Sequence, residues 1–510
     1  MLTQLQALTA QLPELLAWHL ILSLTSLGLG LAISLPLGVI ASRHPRLGET
    51  VLSLAGVVQT VPPLALLALM VPLLGGRIGF LPAFIALTLY SVLPIIANTV
   101  AGLQGVDPNL IEAAQGLGMT ERQQLWKVRM PLAAPVILAG VRTATVQVVG
   151  TATLGTPVGC TGLGNYIFQG LETRNHLSIV YGCVAAALLA LTMDRLVGLF
   201  KTAAQRRSSR LAVLGVVILT VVIVLSAAIP INQRLAQGHE RVVVGSGPFT
   251  EQHILNDLLA DRLRARGFTV EQRKGMGETI QFEALRHGEI DVYVDYSGNL
   301  WSLVLKKSHI ADRESTIQEI TEFLAQRDGL VCLGSLGFEN AYAIAVRGQT
   351  ARERELKTIG DLAGHSRREK IGGDHQFFAR PEWQRVQKMY GVTFQDEVAM
   401  DPGLMYEALS QGSVDAISAY SSDGRIVTDK LVILQDPKGA LPPYDAVVLL
   451  SATAAVNPGI KAALEPLIGA IPVELMREAN RQVDQEKTSP EAAARWLYEQ
   501  ISTPSPSPIP

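Results

Sequence analysis

Long stretches without a charged side chain constrain this chain more than anything else in it. Residues 15–42, 50–76 and 78–106 contain no Asp, Glu, Lys or Arg; 130–171 contains only Arg142; 175–193 and 211–230 are again uncharged. A helix needs about 20 apolar residues to cross the hydrocarbon core of a bilayer. One such stretch could be the core helix of a soluble protein. Six within 230 residues cannot all be, so we expect an all-α polytopic membrane domain of six transmembrane helices over 1–230. A signal peptide over 15–42 is rejected, because no basic segment precedes it and further spans follow.

Charge then divides the chain. Through residue 240 there are 14 basic and 8 acidic residues; beyond it there are 29 basic and 37 acidic. The first part is sparse and slightly basic, the second acidic and soluble-like. The spans are oriented by the basic residues beside them. Arg43 and Arg46 follow the first span. Arg122, Lys127 and Arg129 follow the third, and Arg195, Lys201, Arg206, Arg207 and Arg210 follow the fifth. These three loops share one side, which is therefore cytoplasmic. The opposite side carries only Arg77 and Arg174 between spans. The sixth span then delivers everything after about Asn232 to the exterior.

The exterior part starts with a strand over 241–246, an amphipathic helix from Thr250 to Arg266, and a second strand over 268–271. A helix over 278–287 and a strand over 290–294 follow. Strand–helix–strand alternation with short loops means α/β units with a mainly parallel sheet, and the pattern recurs from Lys370 to Ser418. Such sheets bind ligands at the carboxyl ends of their strands. Residues 231–240 read as a linker, and the Pro-rich residues 504–510 as a disordered tail.

Between the third and fourth spans, near 107–131, lies Glu112-Ala113-Ala114-Gln115-Gly116-Leu117-Gly118, then nine residues, then Val128-Arg129-Met130-Pro131. Asp107-Pro108 starts a short helix, the two alanines keep one face thin, and Gly118 permits a sharp turn. The segment resembles the EAA loop of ABC importer permeases, with Val128 and Met130 as conservative replacements. An ordinary interfacial helix would need neither the spacing nor the glycine. The resemblance implies a cytoplasmic ABC ATPase docking at Glu112, Ala113, Ala114 and Gly118. No G-x-x-x-x-G-K-[ST] phosphate loop occurs in this chain, so the nucleotide site is expected on that partner. No cofactor is expected here, ATP being used by the partner.

From Arg241 onward the sequence is similar to the binding proteins of glycine betaine/carnitine/choline (osmoprotectant) ABC importers. The similarity is carried by Val244-Gly245-Ser246, Phe249-Thr250-Glu251-Gln252, Gly288 to Tyr293, Asp295-Tyr296-Ser297-Gly298, Asp415 to Arg425 and Pro442-Pro443-Tyr444. Both halves together resemble the subgroup with permease and binding protein in one chain, which includes ergothioneine importers. The resemblance implies a two-lobed α/β domain over 241–503, with one lobe of about 241–345 and 445–503 and another of about 346–444. A single permease of this size lines half a path, so a homodimer of this chain is expected in bacterial inner or plasma membrane lipid, with the binding domain on the periplasmic or extracellular side.

A trimethylammonium group has no N–H, so hydrogen bonds cannot hold it, whereas aromatic faces attract it. The family pattern maps a tyrosine cage to Tyr296, Tyr342, Tyr420 and Tyr444. Any one tyrosine alone reads more simply as half-buried packing; four in matching contexts do not. Arg380, after Phe377-Phe378-Ala379, maps to a carboxylate clamp, its plainer reading being a salt bridge at a surface or hinge. A guanidinium can fork onto a carboxylate. Asn299 and Asn340 match polar positions near the ligand. The chain departs from many relatives at Gly247, where they carry a lysine that reaches a carboxylate; this puts glycine betaine itself in question and leaves choline, carnitine and ergothioneine open.

Other functions are excluded on residues. The acidic second half lacks a basic run, so no nucleic-acid partner is expected. Cys160, Cys183 and Cys332 are too few and too scattered for a disulfide framework or a zinc site. His253, His287, His365 and His375 show no metal-ligand spacing. No G-x-S-x-G elbow occurs, so an enzyme is not expected. The remaining alternative is a membrane-anchored ligand-sensing receptor, which would need a cytoplasmic signalling domain that the loops do not provide.

Overall fold

A computed structural model describes residues 2–173, 175–236, 240–307, 312–400 and 402–502. The expected tail 504–510, residues 237–239 of the expected linker, and Arg174 lie outside the described residues. The chain divides into two compact units, Met1–Gly238 with Arg273–His287 and His239–Gln272 with Gly288–Pro510.

The first unit is helical: α1 (Leu2–Arg43), α2 (Pro45–Thr60), α3 (Pro63–Leu73), α4 (Phe80–Gln104), α5 (Pro108–Gly116), α6 (Glu121–Gln124), α7 (Met130–Ala152), α8 (Gly164–Glu172), α9 (His176–Gln205) and α10 (Ser209–Ala236). Five helical stretches are long and apolar enough to span a membrane. The expected span over 50–76 is the pair α2 and α3, bent by 98°. The cause is Pro62-Pro63: a residue before proline is pushed out of the helical region, and Val61 is extended at φ −72°, ψ 127°. Counted as one crossing, the pair brings the spans to six. Only that count leaves the basic loops after α1, α4 and α9 on one side. The expected span over 130–171 also divides, α7 ending at Ala152 and α8 starting at Gly164. The helix α10 continues through Ala236, into the stretch expected to be linker.

Close helix packing rests on small residues, as membrane helices require. A Cβ at Gly30 of α1 would lie 1.9 Å from Ser91 Oγ of α4, and one at Gly140 of α7 would lie 2.5 Å from Asn98 Cβ of α4. Inside the unit, Arg142 of α7 forks onto Asp194 of α9, Nη2 donating to Oδ2 at 2.6 Å.

The second unit holds two five-stranded sheets. With β1 (Arg241–Gly245), β2 (Thr269–Arg273), β3 (Val292–Tyr296), β4 (Val331–Glu339), β5 (Tyr342–Arg347), β6 (Lys370–Gly373), β7 (Asp396–Ala399), β8 (Ala416–Tyr420), β9 (Leu431–Ile433) and β10 (Asp445–Leu450), the orders are β2-β1-β3-β10-β4 and β7-β6-β8-β5-β9. Both sheets are mixed rather than mainly parallel. β1 and β3 are parallel, as are β6 with β7 and β8, but β10 runs antiparallel to β3 and β4, and β5 antiparallel to β8 and β9. The antiparallel strands β5 and β10 are the first strands after the chain's two passages between sheets. The first passage comes at 340–341, so β5 belongs to the second sheet, earlier than the lobe boundary expected near 345.

Candidate ligand-binding site

The passages between the two sheets gather aromatic side chains at strand ends. Tyr420 is the last residue of β8 and Tyr342 the first of β5; the antiparallel register sets them directly opposite each other. Their ring centroids are 5.1 Å apart and the planes 35° apart. Tyr444 precedes β10, and the pairing of Ala446 with Tyr296 carries it alongside Gly298. Only glycine fits at 298, because a Cβ there would lie 2.5 Å from Tyr444 Cε1. The Tyr444 ring then meets Tyr342 edge-on, 6.0 Å between centroids at 88°. Phe377 closes the other side of Tyr342 at 5.1 Å.

Arg380 reaches the same place. Its Nη1 donates to the Tyr444 hydroxyl at 2.8 Å, and its guanidinium carbon lies 5.4 Å from the Tyr342 ring centre. A cation therefore already stands at the aromatic faces, in the geometry of cation–π attraction. The segment is placed by Asp374, which follows β6 and caps the helix His375–Ala379, its Oδ1 accepting from Phe377 N at 2.7 Å. The other Asp374 oxygen accepts from the Tyr420 hydroxyl at 3.0 Å. Burial raises the Tyr420 and Tyr444 hydroxyl pKa values, with Arg380 opposing the rise at Tyr444.

Tyr296 is held differently. It ends β3, and its hydroxyl donates to Glu251 in the first turn of the helix Thr250–Ala265. Glu251 is 3% exposed and also accepts from Asn480 Nδ2 at 3.0 Å. Burial lifts its carboxyl above the ordinary range, against the lowering by hydrogen bonds from Ser422, Tyr296, Asn480 and Asn340. Asn340 joins this group and also donates its backbone N–H to the Tyr444 carbonyl at 3.0 Å. Asn299 is half-buried in the turn after Tyr296.

The structure thus brings Tyr342, Tyr420, Tyr444 and Arg380 into one cluster and ties Tyr296 and Asn340 to Glu251. Three carboxylates escaped the sequence reading: Glu251, Asp374 and Glu382, the last with Oε1 3.5 Å from the Tyr444 hydroxyl. Each stands in the first turn or at the cap of a helix, where acids are common for local reasons. The signal that could have marked them is their adjacency to the aromatic and arginine positions. Of the loop residues in the first unit, Glu112 and Ala113 are exposed on α5 and Ala114 is buried. Gly118 adopts φ +75°, where any other residue would be strained.

Residues 240–500 match the family described as the substrate binding domain of the ABC-type glycine betaine transport system. Residues 34–230 match the binding-protein-dependent transport system inner membrane component. Over 91% of this chain and 86% of the relative, the sequence is 31% identical to the ergothioneine transport permease/ergothioneine binding protein EgtU of Helicobacter pylori strain G27. The chain belongs to the fused ABC importers. The importer's permease part is also 44% identical to the choline transport system permease protein OpuBB of Bacillus subtilis strain 168, over 34% of this chain and 80% of that one. The glycine betaine/carnitine/choline permease protein OpuCB of the same organism is 43% identical over 38% of this chain and 88% of its own. The importer is therefore a membrane transport subunit with an external binding domain, and its ATPase is a separate subunit.

Proposed function

We propose that this importer takes up a zwitterionic trimethylammonium compound larger than glycine betaine. Tyr296, Tyr342, Tyr420 and Tyr444 supply π faces to the cation, Arg380 grips the carboxylate, and Asn299 and Asn340 flank it. The observation that carries the reading is the convergence of three tyrosine rings on a guanidinium at strand ends between the two sheets. The relatives named for ergothioneine, choline, carnitine and glycine betaine transport support the class. Gly247, where many relatives carry lysine, leaves space and makes Arg380 the cation assigned to that end. The lobes close on the ligand by hinge motion. Glu112, Ala113, Ala114 and Gly118 couple the permease to the ATPase. One permease of six spans lines half a path, so two copies of this chain in the lipid bilayer form the working unit with two ATPases.

Isothermal titration of the detergent-purified chain with choline, glycine betaine, carnitine and ergothioneine tests the ligand class. Arg380→Ala is expected to cost carboxylate-bearing ligands roughly 1.5–3 kcal/mol and choline little. Choline binding tightest, with no response to Arg380→Ala, would reject the zwitterion.

A further inference from the structure

Glu382 lies two residues after Arg380, in the first turn of the helix Pro381–Tyr390, and is 6% exposed. Its Oε1 faces the Tyr444 hydroxyl at 3.5 Å, the same hydroxyl that accepts from Arg380 Nη1. Its Oε2 is buried and bonds to no protein donor. Buried carboxylate oxygens in folded proteins are nearly always partnered. A second acceptor nearby is in the same condition: Asn340 Oδ1 has no protein donor, while its backbone is tied to Tyr444. Beside the tyrosines, then, stand a donor-rich cation and two acceptors facing no protein donor.

We propose that Glu382 is a specificity-determining residue that accepts a hydrogen bond from an N–H or O–H group of the ligand. This rests on the trimethylammonium reading and narrows it. Arg380 offers only donors and Glu382 only an acceptor while ionised, so side by side they complement a ligand that carries a carboxylate and a donor. A ligand with a carboxylate and no donor meets the like charge of Glu382 without compensation. Glycine betaine has no N–H or O–H; carnitine has a hydroxyl, and ergothioneine has ring N–H groups.

Carnitine and γ-butyrobetaine differ by one hydroxyl and make a matched pair. The test is titration of the full-length detergent-purified chain and its Glu382→Leu and Glu382→Gln variants with these two, glycine betaine and ergothioneine. The tightest of the four is expected to bear a donor. It should lose at least tenfold in affinity in Glu382→Leu, while the donor-free compounds are expected to bind no more weakly than to the wild-type chain. Glu382→Gln, which keeps volume and an acceptor oxygen but no charge, should fall between. Equal weakening of donor-bearing and donor-free compounds would reduce Glu382 to support for the helix and overturn the inference, as would a donor-free compound binding tightest. If none of the four binds the wild-type chain, the trimethylammonium reading itself fails; binding without donor preference removes this inference alone.

Discussion

In α10, Val213, Val224 and Leu225 are 61%, 59% and 64% exposed, whereas every residue of β10 is buried. The two stretches are similarly apolar and face opposite surroundings. Lipid tolerates a bare apolar face, so the membrane unit needs no core beyond its helix contacts. Water does not, so the binding unit folds its apolar strands inward. The same contrast governs charge. Within the membrane helices Arg142 is committed bidentately to Asp194, because an unpaired charge on a membrane-spanning helix is costly. In the binding unit, Arg380 bonds a hydroxyl and stands over a ring, and Glu382 Oε2 has no protein donor. A charge paired with its opposite holds two helices together; the charges beside rings and hydroxyls stand in the proposed site.

The sharpest separation of the two units is at the cytoplasmic loop. Glu112→Arg or Gly118→Asp is expected to abolish uptake while ligand affinity of the purified chain stays at the wild-type value. Glu112 is exposed on α5, where arginine would reverse the charge of the proposed docking face, and Gly118 at φ +75° strains any side chain. Uptake assays at matched membrane levels, paired with titration, read both sides. Normal uptake in both variants would remove the coupling role.

The ion pair gives the next largest effect. Arg142 lies about 18 Å along α7 from Met130 at ~1.5 Å per residue, within a helix long and apolar enough to span a membrane. Removing one partner strands the charge of the other between α7 and α9. Arg142→Leu should therefore lower the amount of folded protein in membranes and its thermal stability in detergent. The double variant Arg142→Leu/Asp194→Leu should recover most of the loss, because no charge is then stranded. A double variant as damaged as the single one would mean the pair does more than neutralise itself.

The units also differed in how much of them could be read beforehand. Absence of charge over twenty or more residues is a local signal, and it located the helical membrane unit. It did not show the break at Val61, because Pro62-Pro63 sits inside an unbroken apolar run. Strand and helix alternation gave the α/β character of the second unit. The antiparallel runs of β5 and β10 were hidden, since direction depends on where the chain passes between sheets. Tyr342 and Tyr420 face each other only through a register set by strands 78 residues apart. Their pairing follows from topology, which no local pattern encodes. The carboxylates Glu251, Asp374 and Glu382 were masked for the opposite reason: their positions at helix starts already had a sufficient local explanation.

The smallest effects test whether the four tyrosines act alike. Replacement by Ala removes a ring and should cost roughly 1–2 kcal/mol, about 5–30-fold in affinity, wherever that ring meets the cation. Replacement by Phe keeps the ring and removes only the hydroxyl. Were each hydroxyl idle, Phe would be nearly silent at all four positions, but none of them is. The Tyr342 and Tyr420 hydroxyls meet at 3.5 Å, that of Tyr420 donates to Asp374, and that of Tyr444 accepts from Arg380. Tyr296 donates to Glu251, whose other oxygen is held by Asn480. Tyr342→Phe gives up the 3.5 Å contact with the Tyr420 hydroxyl, and Tyr342→Phe, Tyr420→Phe and Tyr444→Phe should each cost about 1 kcal/mol. Tyr296→Phe should approach Tyr296→Ala in its effect on affinity, because it leaves a buried carboxyl group short of a donor. Titration of the eight single variants with the tightest ligand orders them. If Tyr296→Phe proves as mild as Tyr342→Phe while Tyr296→Ala is severe, Tyr296 acts through its ring like the other three, and its bond to Glu251 is incidental to binding.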